Sequence, residues 1–302
     1  MSDTPARSSR GRAEPREVAE LRALKERTPD LTDAVDLHIA LIELQRRVQP
    51  RIPLPALDVT RDTIAKHQAE GRPLLRFEDI PLDLTDLRLL VRQTADLLHR
   101  VGALEVQDHV TIQAVGRDMK LLTVAADWYR KLSHGASVGA GTVAGTAAGT
   151  ANGTAFEPAA DPTMLDQVLE LAMKPFLCRC AEVLQPRVDL SIWTRGFCPL
   201  CGGEPNLAVI TPAAERHLIC GRCTLQWKFE PLTCPYCSNS DRARITSFAT
   251  PDGQYRVYAC DACQRYLKAY DARRASRPVM PVVDTIATLP LDAAAIQRGY
   301  TS

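Results

Sequence analysis

From Leu31 onward, apolar residues recur at helical spacing: Leu31, Val35, Ile39, Ile42 and Val48, with Leu41 and Leu44 widening the stripe. A helix buries such a stripe and leaves its opposite face in water. Asp30-Leu31-Thr32-Asp33 supplies its start, and Arg51-Ile52-Pro53-Leu54-Pro55 ends it. A second helix follows Thr85 as N-cap, with Leu87, Leu90, Val91, Thr94, Leu97, Leu98 and Val101 along one side, and Gly102 closes it. A third is predicted from about Asp108 to Leu132. A fourth starts near Asp161-Pro162, with Met164, Leu165, Val168, Leu169, Ala172, Phe176 and Leu177 inward; Pro175 is expected to kink or split it.

Past residue 187 the period changes. Leu207-Ala208-Val209-Ile210, His217-Leu218-Ile219, Leu225-Gln226-Trp227-Lys228-Phe229, Ile245-Thr246-Ser247-Phe248 and Gln254-Tyr255-Arg256-Val257-Tyr258 are short β-branched or aromatic runs. Turn residues such as Pro251-Asp252-Gly253 separate them, which predicts short strands. The chain therefore divides into a disordered tail (1–18), a helical domain (19–186), a cysteine-rich part (187–275) and a C-terminal segment (276–302). Between the third and fourth helices, residues 135–155 are a Gly/Ala/Thr-rich tract with no large side chain to bury. It is expected to be a loop inserted into one helical domain, because the fourth helix needs the first three to cover its apolar face. The expected class is α+β: an all-helical N-terminal domain followed by tandem four-cysteine modules of the rubredoxin-like or zinc-ribbon kind.

Composition adds limits. Hydrophobic residues make up 45% of 302, enough for a true core, and the formal net charge is +1. That balance gives no bulk attraction to nucleic acid or to a membrane surface. The cysteine-rich residues 190–275 hold 11 Lys/Arg against 7 Asp/Glu, which fits a solvated surface better than a nucleic-acid face. The opening Met1-Ser2-Asp3-Thr4-Pro5-Ala6-Arg7 is not followed by an apolar run, and no stretch of about 18 apolar residues occurs. Both point to a cytoplasmic protein without membrane insertion. No nucleophile–base constellation and no phosphate-cradling glycine loop is present, so a conventional enzyme is not expected.

The chemistry lies in the cysteines. Eight of ten fall in four Cys-x-x-Cys pairs: Cys198/Cys201, Cys220/Cys223, Cys234/Cys237 and Cys260/Cys263. Such a turn points two sulfurs at one ion, and two turns close a tetrahedral four-thiolate site. Dense disulfides belong to small secreted chains, so metal is the better reading here. The simplest pairing is sequential, with Cys198, Cys201, Cys220 and Cys223 around one ion and Cys234, Cys237, Cys260 and Cys263 around another; an interleaved pairing stays open. All-thiolate sites take zinc or a single iron, and Cys198-Pro199-Leu200-Cys201-Gly202 is a form common to both. Cys178 and Cys180, two apart on the fourth helix, face different ways and are read as core residues. His217 is read as strand decoration.

These motifs together resemble the formate dehydrogenase accessory protein family, FdhE. The resemblance is carried by Trp193-Thr194-Arg195-Gly196 before the first knuckle, Leu218-Ile219-Cys220-Gly221-Arg222-Cys223 with Trp227 beyond it, and Cys234-Pro235-Tyr236-Cys237. It continues through Cys260-Asp261-Ala262-Cys263-Gln264-Arg265-Tyr266-Leu267-Lys268 and the Val283-Asp284 to Gly299-Tyr300 stretch. Pro231 and Thr285 depart from the pattern. The resemblance implies a cytoplasmic assembly factor for respiratory formate dehydrogenase. Such a factor binds the catalytic subunit before export and carries two rubredoxin-like centres, with iron favoured over zinc. The client is expected in the groove between ribbons and helical body, with Arg195, Lys268, Trp193, Trp227 and Tyr266 as candidate contacts. A zinc-ribbon nucleic-acid-binding protein and a rubredoxin-like electron-transfer protein are the alternatives.

Overall fold

The computed structural model describes residues 14–134, 162–275 and 277–301. Most of the expected tail and the whole 135–155 tract lie outside these residues. Among the described residues, seven α-helices come first: α1 (Arg16–Arg27), α2 (Thr32–Val48), α3 (Arg61–Glu70), α4 (Leu84–Arg100), α5 (Val106–Val115), α6 (Leu121–His134) and α7 (Pro162–Leu184). Six strands follow: β1 (Pro205–Ile210), β2 (Arg216–Cys220), β3 (Gln226–Phe229), β4 (Ile245–Ala249), β5 (Tyr255–Cys260) and β6 (Arg265–Asp271). Helices α8 (Pro281–Ala287) and α9 (Leu289–Gln297) end the fold. The mixed α+β class is as the sequence predicts.

Several helices differ from expectation for identifiable reasons. Helix α4 begins at Leu84, capped by Asp83, whose carboxylate accepts from the Asp86 N–H at 2.9 Å; Thr85 is inside it. The expected third helix is two. Gly116 ends α5, and an added Cβ there would lie 2.7 Å from Cγ of Arg92 on α4, so any other residue would have to push that side chain aside. Helix α7 runs unbroken through Pro175. Proline cannot donate to the carbonyl of Leu171, one turn back. The side-chain amide of Gln45 on α2 donates to that carbonyl instead, at 3.0 Å. Helix α1 lies partly in the expected tail; its buried Leu21 and Leu24 pack in one cluster with Met280, Val283 and Ile286 near the C-terminus.

The strands form one sheet in the order β3-β2-β1-β6-β5-β4. Two antiparallel three-stranded ribbons are joined through a parallel pairing of β1 with β6, Ala208 opposite Ala269. The tandem modules are thus halves of a continuous sheet. Its two faces have different covers. Ala208, Ile210, Leu218, Trp227, Leu267 and Ala269 share a core with Leu90, Phe176 and Leu177 of the helical body. The alternate residues Leu207, Val209, Ile219, Tyr255 and Tyr270 pack with Val279, Ala287 and Leu291 of the C-terminal part. Burial on both sides explains why β1 reads as a continuous apolar run rather than an alternation.

Two four-cysteine clusters as candidate metal centres

Each Cys-x-x-Cys segment folds into the same turn. The N–H of the residue after the second cysteine donates to the carbonyl of the first: Gly202 to Cys198 (3.0 Å), Thr224 to Cys220 (3.1 Å), Ser238 to Cys234 (2.9 Å) and Gln264 to Cys260 (2.8 Å). All four donors hold a positive φ, between 56° and 72°. This left-handed residue reverses the chain tightly enough to leave both sulfurs on one side.

The structure brings the eight cysteines together in two groups. Cys198, Cys201, Cys220 and Cys223 form an inner cluster, and Cys234, Cys237, Cys260 and Cys263 an outer one, each with its sulfurs within 4.8 Å of one another. The grouping is the sequential one. In the inner cluster Sγ of Cys198 is 3.5 Å from that of Cys223, and Cys201 lies 3.5 Å from Cys220 and 3.6 Å from Cys223. In the outer cluster Cys234–Cys263 and Cys237–Cys260 are each 3.7 Å apart. A disulfide needs about 2.05 Å. A tetrahedron with metal–sulfur bonds of about 2.3 Å has edges of about 3.8 Å. The donor set and its spacing fit a tetrahedral thiophilic ion such as zinc or iron in each cluster.

Electrostatics agree. In the inner cluster burial pushes the Cys198 and Cys223 thiols well up, while hydrogen bonds from neighbouring sulfurs, Cys198 first, hold Cys201 well below its ordinary value. A cation that displaces the protons of the Cys198 and Cys223 thiols removes this conflict. In the outer cluster burial raises Cys234, and raises Cys263 to about 11. Burial also pushes on Cys260, but the backbone N–H groups of Cys263 and Ala262 and the nearby sulfurs outweigh it and hold that thiol low. The two clusters differ in cover. All four inner cysteines are buried, whereas Cys237 is exposed and Cys263 half-buried.

The helical body positions the first knuckle directly. The N–H groups of Leu74 and Leu75 each donate at 2.8 Å to the carbonyls of Pro199 and Leu200, and the Tyr129 hydroxyl donates to the Leu75 carbonyl at 2.9 Å. The two ribbons are also locked together. Tyr236 donates to the Pro205 carbonyl at 3.0 Å, and Arg265 forks onto Glu204 at 2.8 and 2.7 Å while lying over the Tyr236 ring. Gly196 passes so close to Pro235 that a Cβ there would collide with the Pro235 carbonyl.

Cys178 and Cys180 belong to neither cluster. Burial pushes their thiols up to about 11 and about 12. Cys178 nevertheless touches the inner knuckle, 3.8 Å from the Thr224 hydroxyl. His217 is 3.6 Å from the Glu215 carboxylate and outside both clusters.

Of the candidate contact residues, Trp193 and Trp227 are each 1% exposed, their indole N–H groups donating to the carbonyls of Phe197 (2.9 Å) and Arg195 (3.1 Å). Both fill core. Tyr266 and Lys268 are also buried and share one acid: the hydroxyl and the ammonium donate to the two oxygens of Asp292 at 2.7 and 2.6 Å. Arg195 is exposed, with its guanidinium donating to the Gln68 carbonyl at 3.0 Å. Tyr266 and Lys268 do line a groove of about 770 Å³, with Lys131 and Glu170 of the body, Gly203 and Arg222 of the inner knuckles, and Ile296 of α9. Sequence reading missed Arg222, Arg265 and Tyr236 as groove residues. The only signal was their position inside or beside knuckles.

No family model matches the chain. Among curated proteins, it is 29% identical over 133 residues to a protein FdhE homolog of Haemophilus ducreyi, 43% of each chain. It is 30% identical over 109 residues to protein FdhE of Escherichia coli, 35% of each. The chain thus matches less than half the length of these relatives. The crystal structure of the FdhE protein from Pseudomonas aeruginosa shares the fold, with a TM-score of 0.61 and 20% identity over 95% of this chain and 92% of that one. Sequence relatives and common fold together bear out the resemblance to the FdhE family that the cysteine motifs carry.

Proposed function

We propose that this chain is a non-enzymatic accessory factor in the cytoplasm, required to form an active respiratory formate dehydrogenase and binding its catalytic subunit. The observation that carries this reading is the pair of four-sulfur clusters set into one sheet against a helical body, in a chain similar to FdhE proteins. Cys198, Cys201, Cys220 and Cys223 would hold one ion and Cys234, Cys237, Cys260 and Cys263 the other, with iron favoured. An ion in each cluster cross-links two knuckles and stiffens the ribbon they carry; iron adds the capacity to exchange one electron. The client is placed at the groove between the ribbons and the body. Lys268 and Tyr266 line that groove, Arg195 is the exposed candidate contact in a separate pocket with Arg61 and Gln68, and Trp193 and Trp227 fill core.

The test is a pull-down with the catalytic subunit, paired with complementation of a strain that lacks the endogenous factor. Capture and restored formate dehydrogenase activity are expected for the wild-type chain, with weaker capture for Arg195→Ala. Failure of both arms overturns the accessory role. Capture unchanged in a folded variant that lacks both metal ions removes the ribbons from recognition. Metal analysis of protein purified without oxygen, then aerated, decides the ion: ferric thiolate absorbs in the visible and zinc does not. One observation favours a second reading, electron transfer. Cys237 of the outer cluster reaches the surface, as a rubredoxin-like donor requires. Turnover with a redox partner tests it.

A further inference from the structure

The groove beside the inner cluster contains a buried cation with an unanswered N–H. Arg222 sits inside the second knuckle and is 6% exposed. Its stem lies against Gly203, where a Cβ would approach Cδ to 2.9 Å, and its guanidinium covers the Trp128 ring at 4.9 Å from the centroid. Nη1 is buried without any hydrogen-bond partner among the described residues. Arg222 is close enough to Cys201 to feel its charge, so a filled inner centre offsets the positive charge but leaves this donor unused. A buried guanidinium normally spends its fixed fork of donors on acceptors.

The groove's other charges set what the missing acceptor can be. Arg265 and Lys268 are occupied by Glu204 and Asp292. Glu170 forms no ion pair among the described residues and lines the same groove. Lys131, Arg222, Arg265 and Lys268 against Glu170, Glu204 and Asp292 leave the lining with one positive charge in excess, a field that draws an anion. Its volume of about 770 Å³ far exceeds a free acetate and suits several residues of extended chain. We propose that this groove binds an acidic stretch of polypeptide, one carboxylate of which accepts a hydrogen bond from Arg222. The proposal does not depend on which protein supplies the stretch.

Calorimetric titration of the full, metal-loaded chain tests it. The probes are a short blocked peptide with one aspartate in a glycine–alanine background, its asparagine twin, and sodium acetate. The aspartate peptide should bind at least about tenfold more tightly than the twin, the scale of one charged hydrogen bond. Arg222→Gln should abolish that preference, with metal content measured alongside to confirm an intact inner site. Glu170→Gln should tighten the aspartate peptide by removing a like charge. That surface change also keeps the test alive if Arg222→Gln does not fold. Equal binding of the twin peptides, a preference that survives Arg222→Gln, or weaker binding in Glu170→Gln overturns the proposal. Acetate that binds as tightly as the aspartate peptide shows a site for free carboxylate and overturns the polypeptide part.

Discussion

At the scale of single residues, the four knuckles ask for one conformation and receive it from four different amino acids. Gly202 adopts it freely, whereas Thr224, Ser238 and Gln264 hold φ of 60°, 60° and 56° with a side chain attached. A left-handed L-residue costs about 1 kcal/mol or more, which the cluster must offset. Ser238 is exposed on the outer knuckle, so Ser238→Gly removes the strain and no buried contact. It should stabilise the metal-loaded protein by about 0.5–1 kcal/mol, read as a higher denaturant midpoint at unchanged slope. Cys201→Ser should lose one metal ion per chain, since a hydroxyl replaces a soft ligand in a closed site. Cys178→Ser, although its sulfur lies 3.8 Å from Thr224, should keep both. Elemental analysis separates the two outcomes. The ligands were legible because Cys-x-x-Cys spacing is itself the geometric requirement. The left-handed positions were not, because at three of four knuckles no glycine marks them. The sequential grouping became definite only when strand pairing set which knuckles meet.

At the scale of elements, α7 shows how a helix survives an internal proline. The carbonyl of Leu171 loses its backbone donor at Pro175, and Gln45 of α2 replaces it from 126 positions earlier in the chain. The replacement predicts a coupling. Gln45→Ala should cost about 1 kcal/mol in the wild-type background, because a half-buried carbonyl is left unpaired. In a Pro175→Ala background the backbone N–H returns, so the same substitution should cost clearly less. Chemical denaturation of the two single variants and the double variant measures the difference; equal costs in both backgrounds would show that Gln45 does not serve the proline. Reading the sequence, Pro175 signalled a break because the rescuing side chain is remote. The same limit explains α1. Leu21 and Leu24 sit among charges, and their partners Met280, Val283 and Ile286 lie at the other end of the sequence. The strands were more legible than the sheet. Five of six follow from β-branched and aromatic runs, but the parallel junction of β1 and β6, through Ala208–Ala269, Val209–Tyr270 and Ile210–Asp271, joins stretches far apart in the chain, which no local run reveals.

At the scale of the whole molecule, the two clusters differ in depth. The inner one is sealed by the helical body and Trp227, and the outer one exposes Cys237. A chelator should therefore strip the chain in two phases, the outer ion first and the inner only as the sheet opens. Release curves of Cys201→Ser and Cys260→Ser variants, each with one site left, assign the phases. A slower outer phase would show that exposure of Cys237 does not govern access. The sheet order has a further consequence, in the time over which the chain is made. Every inner ligand precedes residue 224, so the inner centre can be filled while the rest is still on the ribosome. Yet β1, at the middle of the finished sheet, then has one side bare. Its partner there, β6, is the last strand synthesised. Until Arg265–Asp271 emerges, a stiff, metal-loaded ribbon presents an open strand edge, the form most prone to pair with a neighbour. Translation that stops between 230 and 264 would thus yield a protein with one centre complete and a sticky flank, a hazard that the mature fold conceals.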